Sequence, residues 1–375
     1  MGFRRPALAC GMNENFWSGK RVFLTGHTGF KGAWLAAWLG HLGAKVFGYA
    51  LPPETTPNLC DLIGLETEIP FVHSDIRDAT RLTSELTNFR PEIVCHLAAQ
   101  SLVRRGYAEP VETFATNVIG TANLLQAVRK SPSVRAVIVV TSDKCYDNRE
   151  WPYPYRETDA LGGADPYSAS KACAEILTAA WRRSFFHDAS AAAIATVRAG
   201  NVIGGGDFSP DRLIPDCMAA RAANRPIELR NPNSTRPWQH VLDPLNGYLT
   251  LAERLFTHGK SAAAAYNFGP ASDDILPVHK LVEALGIPWT QAENPGPHEA
   301  AQLAVDSSLA RQLLGWRPRL TIETALDWTA AWYEAFARGE PTKQLLYQQV
   351  QNFENIAAAG TSHPSWRAEA ATKRP

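Results

Sequence analysis

The sequence predicts an α/β protein: a doubly wound parallel sheet of the Rossmann type with a smaller C-terminal lobe. Three observations carry this prediction. Short apolar runs typical of buried strands alternate with helical patterns, as in a parallel sheet that is covered on both faces. A glycine-rich turn follows the first apolar run. After residue 200 the sequence changes to a glycine triplet, many prolines and short periodic pieces, which predicts a separate lobe.

Six apolar runs predict the strands of the sheet. They are Val22 to Thr25, Lys45 to Ala50, Pro70 to Ser74, Ile93 to Ala98, Ala136 to Thr141 and Ala193 to Arg198. Helices are predicted between the strands, among them residues 33–40, 113–129 and 166–181. Ligands of such a sheet bind beyond the carboxyl ends of its strands. We therefore expect the site where the loops after residues 25, 50, 75, 98 and 141 converge.

A chain of 375 residues exceeds one average core, so we expect two units. The larger domain is predicted at residues 16–205, and the chain returns to it at about 241–270. The smaller lobe is predicted to consist of residues 206–240 and 271–340. Residues 341–375 are predicted to form a C-terminal arm or tail.

The composition excludes several classes of partner. The chain has 37 basic and 37 acidic side chains, so it lacks the excess positive charge typical of a nucleic-acid-binding protein. No apolar run approaches the ~20 residues of a membrane helix. The six cysteines are far apart and show no metal-ligand spacing, so no metal is predicted. We expect a soluble cytoplasmic protein.

Glycines at positions 26, 29 and 32 lie between the first strand and a helix. In a turn that binds pyrophosphate, the first glycine permits the tight bend and the second lets backbone N–H groups approach the phosphates. The third lets the helix pack close to the strand, and the helix N-terminus directs partial positive charge at the same point. The spacing is G-x-x-G-x-x-G rather than G-x-G-x-x-G. This turn predicts a site for the pyrophosphate of a dinucleotide cofactor.

The predicted cofactor site combines this turn with the loops after the third and fourth strands. It comprises Gly26, His27, Gly29, Phe30, Lys31, Gly32, Asp75, Ile76, Leu97, Ala98 and Ala99, together with Tyr167 and Lys171. The second strand ends at Ala50 without the acid that normally accepts from the adenosine 2′-hydroxyl. We therefore expect His27 or Lys31 to contact the adenosine ribose or phosphate. The same gap predicts weak retention of NAD or some tolerance of NADP.

Tyr167 and Lys171 are four residues apart in a predicted helix, so they share a face. A phenol has an ordinary pKa of ~10. A nearby ammonium and the positive nicotinamide of an oxidised cofactor would stabilise the phenolate and make it a base at neutral pH. Ser142, Asp143 and Lys144 follow the fifth strand, where an α/β active site is expected.

These motifs resemble, in order and spacing, the extended short-chain dehydrogenase/reductase family from about residue 20 to 340. Within that family the chain is most similar to nucleotide-sugar 4,6-dehydratases, above all those that act on CDP-glucose. The likeness rests on residues 25–35 (TGHTGFKGAWL), 141–146 (TSDKCY), 198–207 (RAGNVIGGGD) and 236–243 (RPWQHVLD). The resemblance implies NAD, a CDP-sugar substrate and a 4-keto-6-deoxy product, a precursor of the dideoxysugars of O-antigen in bacterial surface polysaccharide.

The chemistry assigns each catalytic candidate a role. Tyr167 takes the proton of the sugar 4-hydroxyl, Ser142 holds the same oxygen, and Lys171 binds the nicotinamide ribose. Asp143 protonates the departing 6-hydroxyl, which requires a raised pKa. Lys144 is either the base that removes the C5 proton, which we favour, or a charged group that stabilises the enolate.

The resemblance also indicates the substrate side of the site. The segments that the family uses for substrate contain Gln100, Arg104, Asn201, Arg212, Arg236 and His240. Arg236 is the preferred candidate to grip the diphosphate, because a planar guanidinium forms bidentate, charge-assisted hydrogen bonds. Helices 113–129 and 166–181 resemble the pair through which the family dimerises, so we expect a homodimer or homotetramer.

Two alternative functions stay open at this point. The chain could be another 4,6-dehydratase or a 4-epimerase, since oxidation at C4 is common to them. It could also be a noncatalytic NAD-sensing module on the same fold. Asp143 favours elimination, because an epimerase needs no acid at C6. Ser142, Tyr167 and Lys171 favour catalysis, because sensing modules often lack one of these residue types.

Overall fold

The computed structural model describes residues 14–294 and 300–358. Its central sheet has seven parallel strands in the order β3-β2-β1-β4-β5-β6-β11. These strands are β1 (Arg21–Thr25), β2 (Lys45–Ala50), β3 (Phe71–His73), β4 (Ile93–His96), β5 (Ala136–Val140), β6 (Ala193–Ala199) and β11 (Ala265–Phe268). The predicted doubly wound sheet is confirmed, and the chain returns to its edge through β11.

Fourteen helices lie within the described residues. They are α1 (Glu14–Trp17), α2 (Phe30–His41), α3 (Leu59–Leu62), α4 (Ala79–Phe89), α5 (Val103–Ala108), α6 (Pro110–Phe114), α7 (Gly120–Arg129), α8 (Pro166–Phe185), α9 (Leu213–Ala222), α10 (Leu242–His258), α11 (Val278–Ala284), α12 (Ser308–Leu314), α13 (Ile322–Ala337) and α14 (Thr342–Ala358). None of these described helices is both long enough and apolar enough to cross a bilayer.

The strand side chains alternate between two cores. Val22 and Leu24 of β1 pack in one core, whereas Phe23 between them packs in the other. Helices α2, α10 and α14 contribute to the first core, and α4 and α7 contribute to the second. Apolar side chains on both faces explain why these strands read as continuous apolar runs in the sequence.

The helix predicted at residues 113–129 is interrupted. A π-helical segment, Ala115–Ile119, joins α6 to α7. Within it, Asn117 is 2% exposed, and its side-chain amide donates to the Gln100 carbonyl (3.0 Å) and to Ser170 Oγ (2.8 Å). The wider turn thus brings a polar side chain into a buried position where both of its donor hydrogens are used.

Short strand pairs lie outside the main sheet. The small strands are β7 (Val202–Ile203), β8 (Ile227–Leu229), β9 (Thr235–Pro237), β10 (Gln239–His240), β12 (Ile275–Pro277) and β13 (Trp289–Gln291). They pair as β7 with β10, β8 with β13, and β9 with β12. Both predicted segments of the smaller lobe contribute to these pairs. Its assignment to substrate stays a prediction.

Residues 342–358, the first part of the predicted C-terminal arm or tail, form α14, which packs against the core. Leu346, Val350 and Phe353 of this helix are fully buried, and Trp38 Nε1 donates to Glu354 Oε1 at 2.8 Å. The three apolar residues are spaced by four and then three positions, so they form one apolar stripe along the helix, although glutamines separate them in the sequence. The rest of the predicted tail, residues 359–375, lies outside the described residues.

Candidate active site

Four ionisable groups from three segments converge at the carboxyl ends of β1 and β5. Lys31 belongs to α2, Asp143 follows β5, and Tyr167 and Lys171 belong to α8. Asp143 alters the pKa of both Lys31 and Tyr167, and Lys171 alters the pKa of Lys31. Charges affect one another in this way only at short range, so these groups share one site.

The glycine turn has the shape that a pyrophosphate site requires. Gly26 has φ +78°, and a Cβ there would lie 2.7 Å from the backbone N of Ala98. A Cβ on Gly32 would lie 1.9 Å from the Gly26 carbonyl oxygen, so the helix can approach the turn only without one. Gly29 precedes α2 and has no side chain to cap it. The N–H groups of the first helical turn are therefore available to an anion, and the turn fits NAD.

The turn after β5 holds a buried carboxyl group. Ser142 Oγ accepts from the Lys144 backbone N–H (3.2 Å) and donates to Asp143 Oδ1 (3.0 Å). Asp143 is 3% exposed, and its Oδ2 has no hydrogen-bond partner among the described residues. Burial raises the pKa of Asp143, while the nearby charges of Lys144, Arg236 and Lys31 oppose that rise. The result is a carboxyl group that holds a proton more readily than usual.

The first two turns of α8 carry the predicted phenol and amine. Burial raises the pKa of Tyr167 to about 12, although a hydrogen bond with Ser142 and the charge of Arg212 act in the opposite direction. Burial lowers the pKa of Lys171 to about 8, and its Nζ donates to the Val140 carbonyl at 3.2 Å. The protein alone therefore does not produce the acidic phenol that the sequence predicts, because desolvation exceeds the stabilisation by its cations.

Comparison with known proteins identifies the family. The family model described as GDP-mannose 4,6 dehydratase matches residues 23–267. The chain is 47% identical over 340 residues to a CDP-glucose 4,6-dehydratase of Salmonella typhimurium, a match that covers 88% of this chain and 94% of that protein. This chain belongs to the GDP-mannose 4,6-dehydratase family.

More distant relatives agree with this membership. A dTDP-glucose 4,6-dehydratase of Shigella flexneri is 29% identical over 76% of this chain and 84% of its own. The structure of a dTDP-glucose 4,6-dehydratase from Streptomyces venezuelae, solved with NAD bound, superposes with a TM-score of 0.73 at 25% identity and covers 86% of this chain and 99% of that one. A UDP-glucose 4-epimerase from Stenotrophomonas maltophila shares the fold (TM-score 0.76, 23% identity, 85% and 99% covered).

The side chain of Lys31 lies beside the catalytic candidates. Its Nζ donates to the Tyr248 hydroxyl at 3.3 Å. Burial, with the charges of Lys171 and Arg212, lowers the pKa of Lys31 to about 7. The first turn of α2 thus directs this side chain toward α8 and α10, and the expected contact of Lys31 with adenosine ribose or phosphate stays a prediction.

The expected contact of His27 with adenosine ribose or phosphate stays a prediction, and its side chain packs within the protein. It is fully buried over Gly48 of β2, where a Cβ would lie 2.7 Å from the imidazole ring. His27 Nε2 and His73 Nε2 lie 3.0 and 2.7 Å from the same oxygen, Glu66 Oε1. The three groups are close enough to hold a metal ion. However, a metal on Nε2 would leave the His27 Nδ1 hydrogen buried without an acceptor, which favours hydrogen bonds here.

The remaining predicted cofactor residues line the ends of β3 and β4. Asp75 accepts from the backbone N–H of Arg77 (2.8 Å) and from its guanidinium, which lowers the pKa of Asp75. Ile76 is buried beside Gly120. Leu97 and Ala98 abut Gly26, and Ala99 follows them, half-buried. Phe30 packs near Gly204. Their contacts with NAD stay a prediction.

Two predicted substrate residues frame the mouth of the site. Arg104 pairs with Asp211 at 2.7 Å, and Arg212 Nη2 donates to Ser101 Oγ at 3.3 Å. These contacts join the loop before α9 to α5 and to the loop after β4. Arg212 is close enough to Tyr167 to lower the pKa of the phenol, which places it beside the reacting groups.

The other predicted substrate residues divide into two groups. Arg236 donates to the Thr235 carbonyl at 2.9 Å and affects Asp143, while the half-buried Asn201 accepts the Gln239 N–H through its backbone. Gln100 and His240 make contacts within the protein, and their contact with substrate stays a prediction. The Gln100 amide contacts Thr113 Oγ1 and the Leu102 N–H, and His240 is fully buried between Trp34 and Trp328. Tertiary packing occupies both side chains.

Three residues of the site environment escaped the sequence analysis. Tyr248 is 1% exposed and close enough to Asp143 and Tyr167 for both to raise its pKa. Glu175 and Arg198 form a buried ion pair behind the site. Glu175 could have been found, because it lies four residues after Lys171 on the same face of α8. By contrast, nothing in the sequence around Tyr248 distinguishes it from the other residues of an amphipathic helix.

Proposed function

We propose that this dehydratase converts CDP-D-glucose to CDP-4-keto-6-deoxy-D-glucose with NAD. The identity of 47% to the Salmonella typhimurium enzyme, across 94% of that protein, supports the choice of nucleotide. The observation that carries the reaction is Asp143, a buried carboxyl group with a raised pKa in the same site as Tyr167. An oxidation at C4 alone needs no such acid, whereas loss of the 6-hydroxyl does.

The first step is oxidation at C4. When bound, NAD would supply a hydride acceptor and a positive charge, and its reduced form would supply the hydride for C6. Tyr167 takes the proton of the 4-hydroxyl, and Ser142 holds the same oxygen through its hydroxyl. Lys171 binds the nicotinamide ribose and adds positive charge behind Tyr167. Because the protein alone holds the pKa of Tyr167 at about 12, phenolate forms only with a further cation beside it.

The second step is loss of water across C5 and C6. The 4-ketone acidifies the C5 proton, and its removal leaves an enolate. Asp143 gives its proton to the departing 6-hydroxyl, which leaves as water. The double bond between C5 and C6 would then accept a hydride at C6, while the proton taken by the C5 base returns to C5. Lys144, half-buried in the Asp143–Cys145 turn, is our proposed C5 base. The alternative is that a charged Lys144 stabilises the enolate.

Product analysis tests the proposal. The protein is incubated with NAD and, in separate reactions, with CDP-, dTDP-, GDP- and UDP-glucose. We expect a 4-keto-6-deoxy sugar from CDP-glucose, with deuterium placed at C4 recovered at C6 of the same molecule. A 4-epimer without loss of water would replace dehydration by epimerisation. Turnover of another nucleotide in preference to CDP-glucose would keep the reaction and overturn the nucleotide.

We also propose that the protein forms a homodimer, or a tetramer built from such dimers. Apolar side chains of α6 to α8 and of the segment between them are exposed: Val111 (77%), Ile119 (56%), Ile176 (56%) and Phe185 (42%). A second copy would remove this surface from water. Light scattering should give a dimer or tetramer for the wild type and a smaller species for I119E/I176E. A monomeric wild type at micromolar concentration would refute this proposal.

A cytoplasmic location is part of the same proposal. All the cysteines within the described residues have free thiols, namely Cys60, Cys95, Cys145, Cys173 and Cys217. Free thiols persist in a reducing compartment. The proposed product would then be available there as a precursor of dideoxysugars.

A further inference from the structure

A buried ion pair lies directly behind the turn of residues 142–146, which we call the catalytic turn. Glu175 and Arg198 have side chains that are each 3% exposed. The guanidinium donates to both carboxylate oxygens, Nε to Oε1 at 2.9 Å and Nη2 to Oε2 at 2.8 Å. Thr141 Oγ1 donates to Oε1 at 2.5 Å, and Thr196 Oγ1 donates to Oε2 at 2.7 Å. Each carboxylate oxygen therefore accepts two hydrogen bonds.

The pair connects the segments that carry the reacting groups. Thr141 immediately precedes Ser142, at one end of the catalytic turn. At the other end, Arg198 Nη1 donates to the Tyr146 hydroxyl at 2.8 Å, and this hydroxyl donates to Asn267 Oδ1 at 2.7 Å. Glu175 lies on α8, one turn beyond Lys171. A shift of this ion pair would therefore move the turn relative to the helix.

Glu175 also helps to oppose the effect of burial on Lys171. Groups on several elements act on this amine. Burial lowers its pKa, while Cys145 on the catalytic turn and Glu175 on its own helix raise it. Lys171 in turn lowers the pKa of Lys31 on α2 and of His96 on β4, so positive charge on those groups would disfavour its protonation. The carboxylate of Glu175 is thus a principal source of negative charge near this ammonium.

We propose that Glu175 and Arg198 are positioning residues of the dehydratase site: they hold the turn of residues 142–146 against α8 and keep Lys171 charged. This inference rests on the proposed function, because it assigns the roles of Ser142, Asp143 and Lys171. A buried ion pair is seldom the most stable choice for its position, and a role in the geometry of the site accounts for its presence here.

The test separates positioning from simple stabilisation with the variants E175Q, R198M and E175Q/R198M. Each single variant leaves a buried group without its partner, and the double variant removes both charges. We expect the double variant to regain most of the melting temperature lost by the single variants. We nevertheless expect its kcat for the keto sugar to stay at least tenfold below that of the wild type, with KM changed less than threefold. Recovery of kcat together with stability would overturn the proposal.

The pH dependence provides a second readout. Without the carboxylate, Lys171 should lose its proton at a lower pH, so the alkaline loss of kcat should begin at least half a pH unit earlier in E175Q/R198M. NAD affinity, which does not depend on the identity of the sugar, should fall off at the same lower pH. An unchanged pH profile for both quantities would refute the role in keeping Lys171 charged. The pair Arg81–Glu85, with an exposed arginine and a half-buried glutamate, gives a control far less buried than Glu175–Arg198, and R81M/E85Q should retain wild-type values.

Discussion

Asp143 and Glu175 are two carboxyl groups at the same end of the sheet, and both are 3% exposed. Burial raises the pKa of Asp143, whose Oδ1 accepts from Ser142 and whose Oδ2 has no partner in the described chain. The pKa of Glu175 is lowered, because its contacts with Arg198 and two threonines exceed the effect of the same burial. Hydrogen-bond donors, rather than burial, therefore decide which carboxyl group can hold a proton for the reaction.

The comparison predicts its largest effect for D143N. Asparagine keeps the shape but cannot donate a proton, so elimination should slow ~10²- to 10⁴-fold, the usual contribution of a general acid. Oxidation at C4 should slow much less. Stopped-flow absorbance at 340 nm should therefore show reduced cofactor that forms and persists, with little final product. The exposed Asp188 provides the control D188N. Equal slowing of both steps would remove Asp143 from its role as acid.

The second prediction contrasts the stabilities of D143N and E175Q. E175Q leaves Arg198 buried without a counter-charge, which should lower the free energy of unfolding by ~3–5 kcal/mol. D143N replaces a group without a partner on Oδ2 and should be as stable as the wild type or more so. Urea unfolding monitored by tryptophan fluorescence measures both. A D143N variant as unstable as E175Q would contradict the distinction between the two sites.

The pH dependence of stability should have opposite signs at the two sites. Asp143 has a raised pKa in the folded state, so its stabilising contribution is present below the unfolded pKa of ~3.9 and is lost as pH rises through the folded value. The free energy of unfolding of D143N should therefore increase relative to that of the wild type as pH rises above ~4. Glu175 has a lowered pKa, so the stability that E175Q lacks relative to the wild type should decrease as pH falls below ~4.3. Unfolding curves at pH 3.5 to 8 measure both trends, and parallel trends would contradict the assigned directions.

The smallest predicted effect concerns the threonines that donate to Glu175. T141V and T196V each remove one hydrogen bond to this carboxylate and should destabilise the protein by ~1–3 kcal/mol. Thr141 is adjacent to Ser142, whereas Thr196 lies in the middle of β6. We therefore expect T141V to lower kcat severalfold, whereas T196V should leave kcat within about twofold of the wild-type value. Equal losses of kcat would show that the catalytic turn does not depend on Thr141.

Local patterns predicted the strands well, because each strand is an apolar run bounded by turn residues. The Tyr167 and Lys171 pair was equally accessible, since its spacing follows the helical period. The protein contacts of Lys31, His27 and His240 could not be predicted, because long-range packing sets the direction of each side chain. Those of Gln100 could not be predicted for the same reason, since Thr113 and the Leu102 backbone contact its amide. The directions of the pKa shifts were inaccessible because they depend on burial and on partners distant in sequence.

Helix α14 has a consequence for synthesis of the chain. Its residues 346, 350 and 353 complete a core that α2 begins more than 300 positions earlier. During translation, the part of α2 that packs against α14 therefore stays exposed until nearly the whole polypeptide has left the ribosome. A stop codon introduced just after residue 340 would thus release a product that contains every reacting group yet exposes Trp38 to water, and such a product would be prone to aggregate.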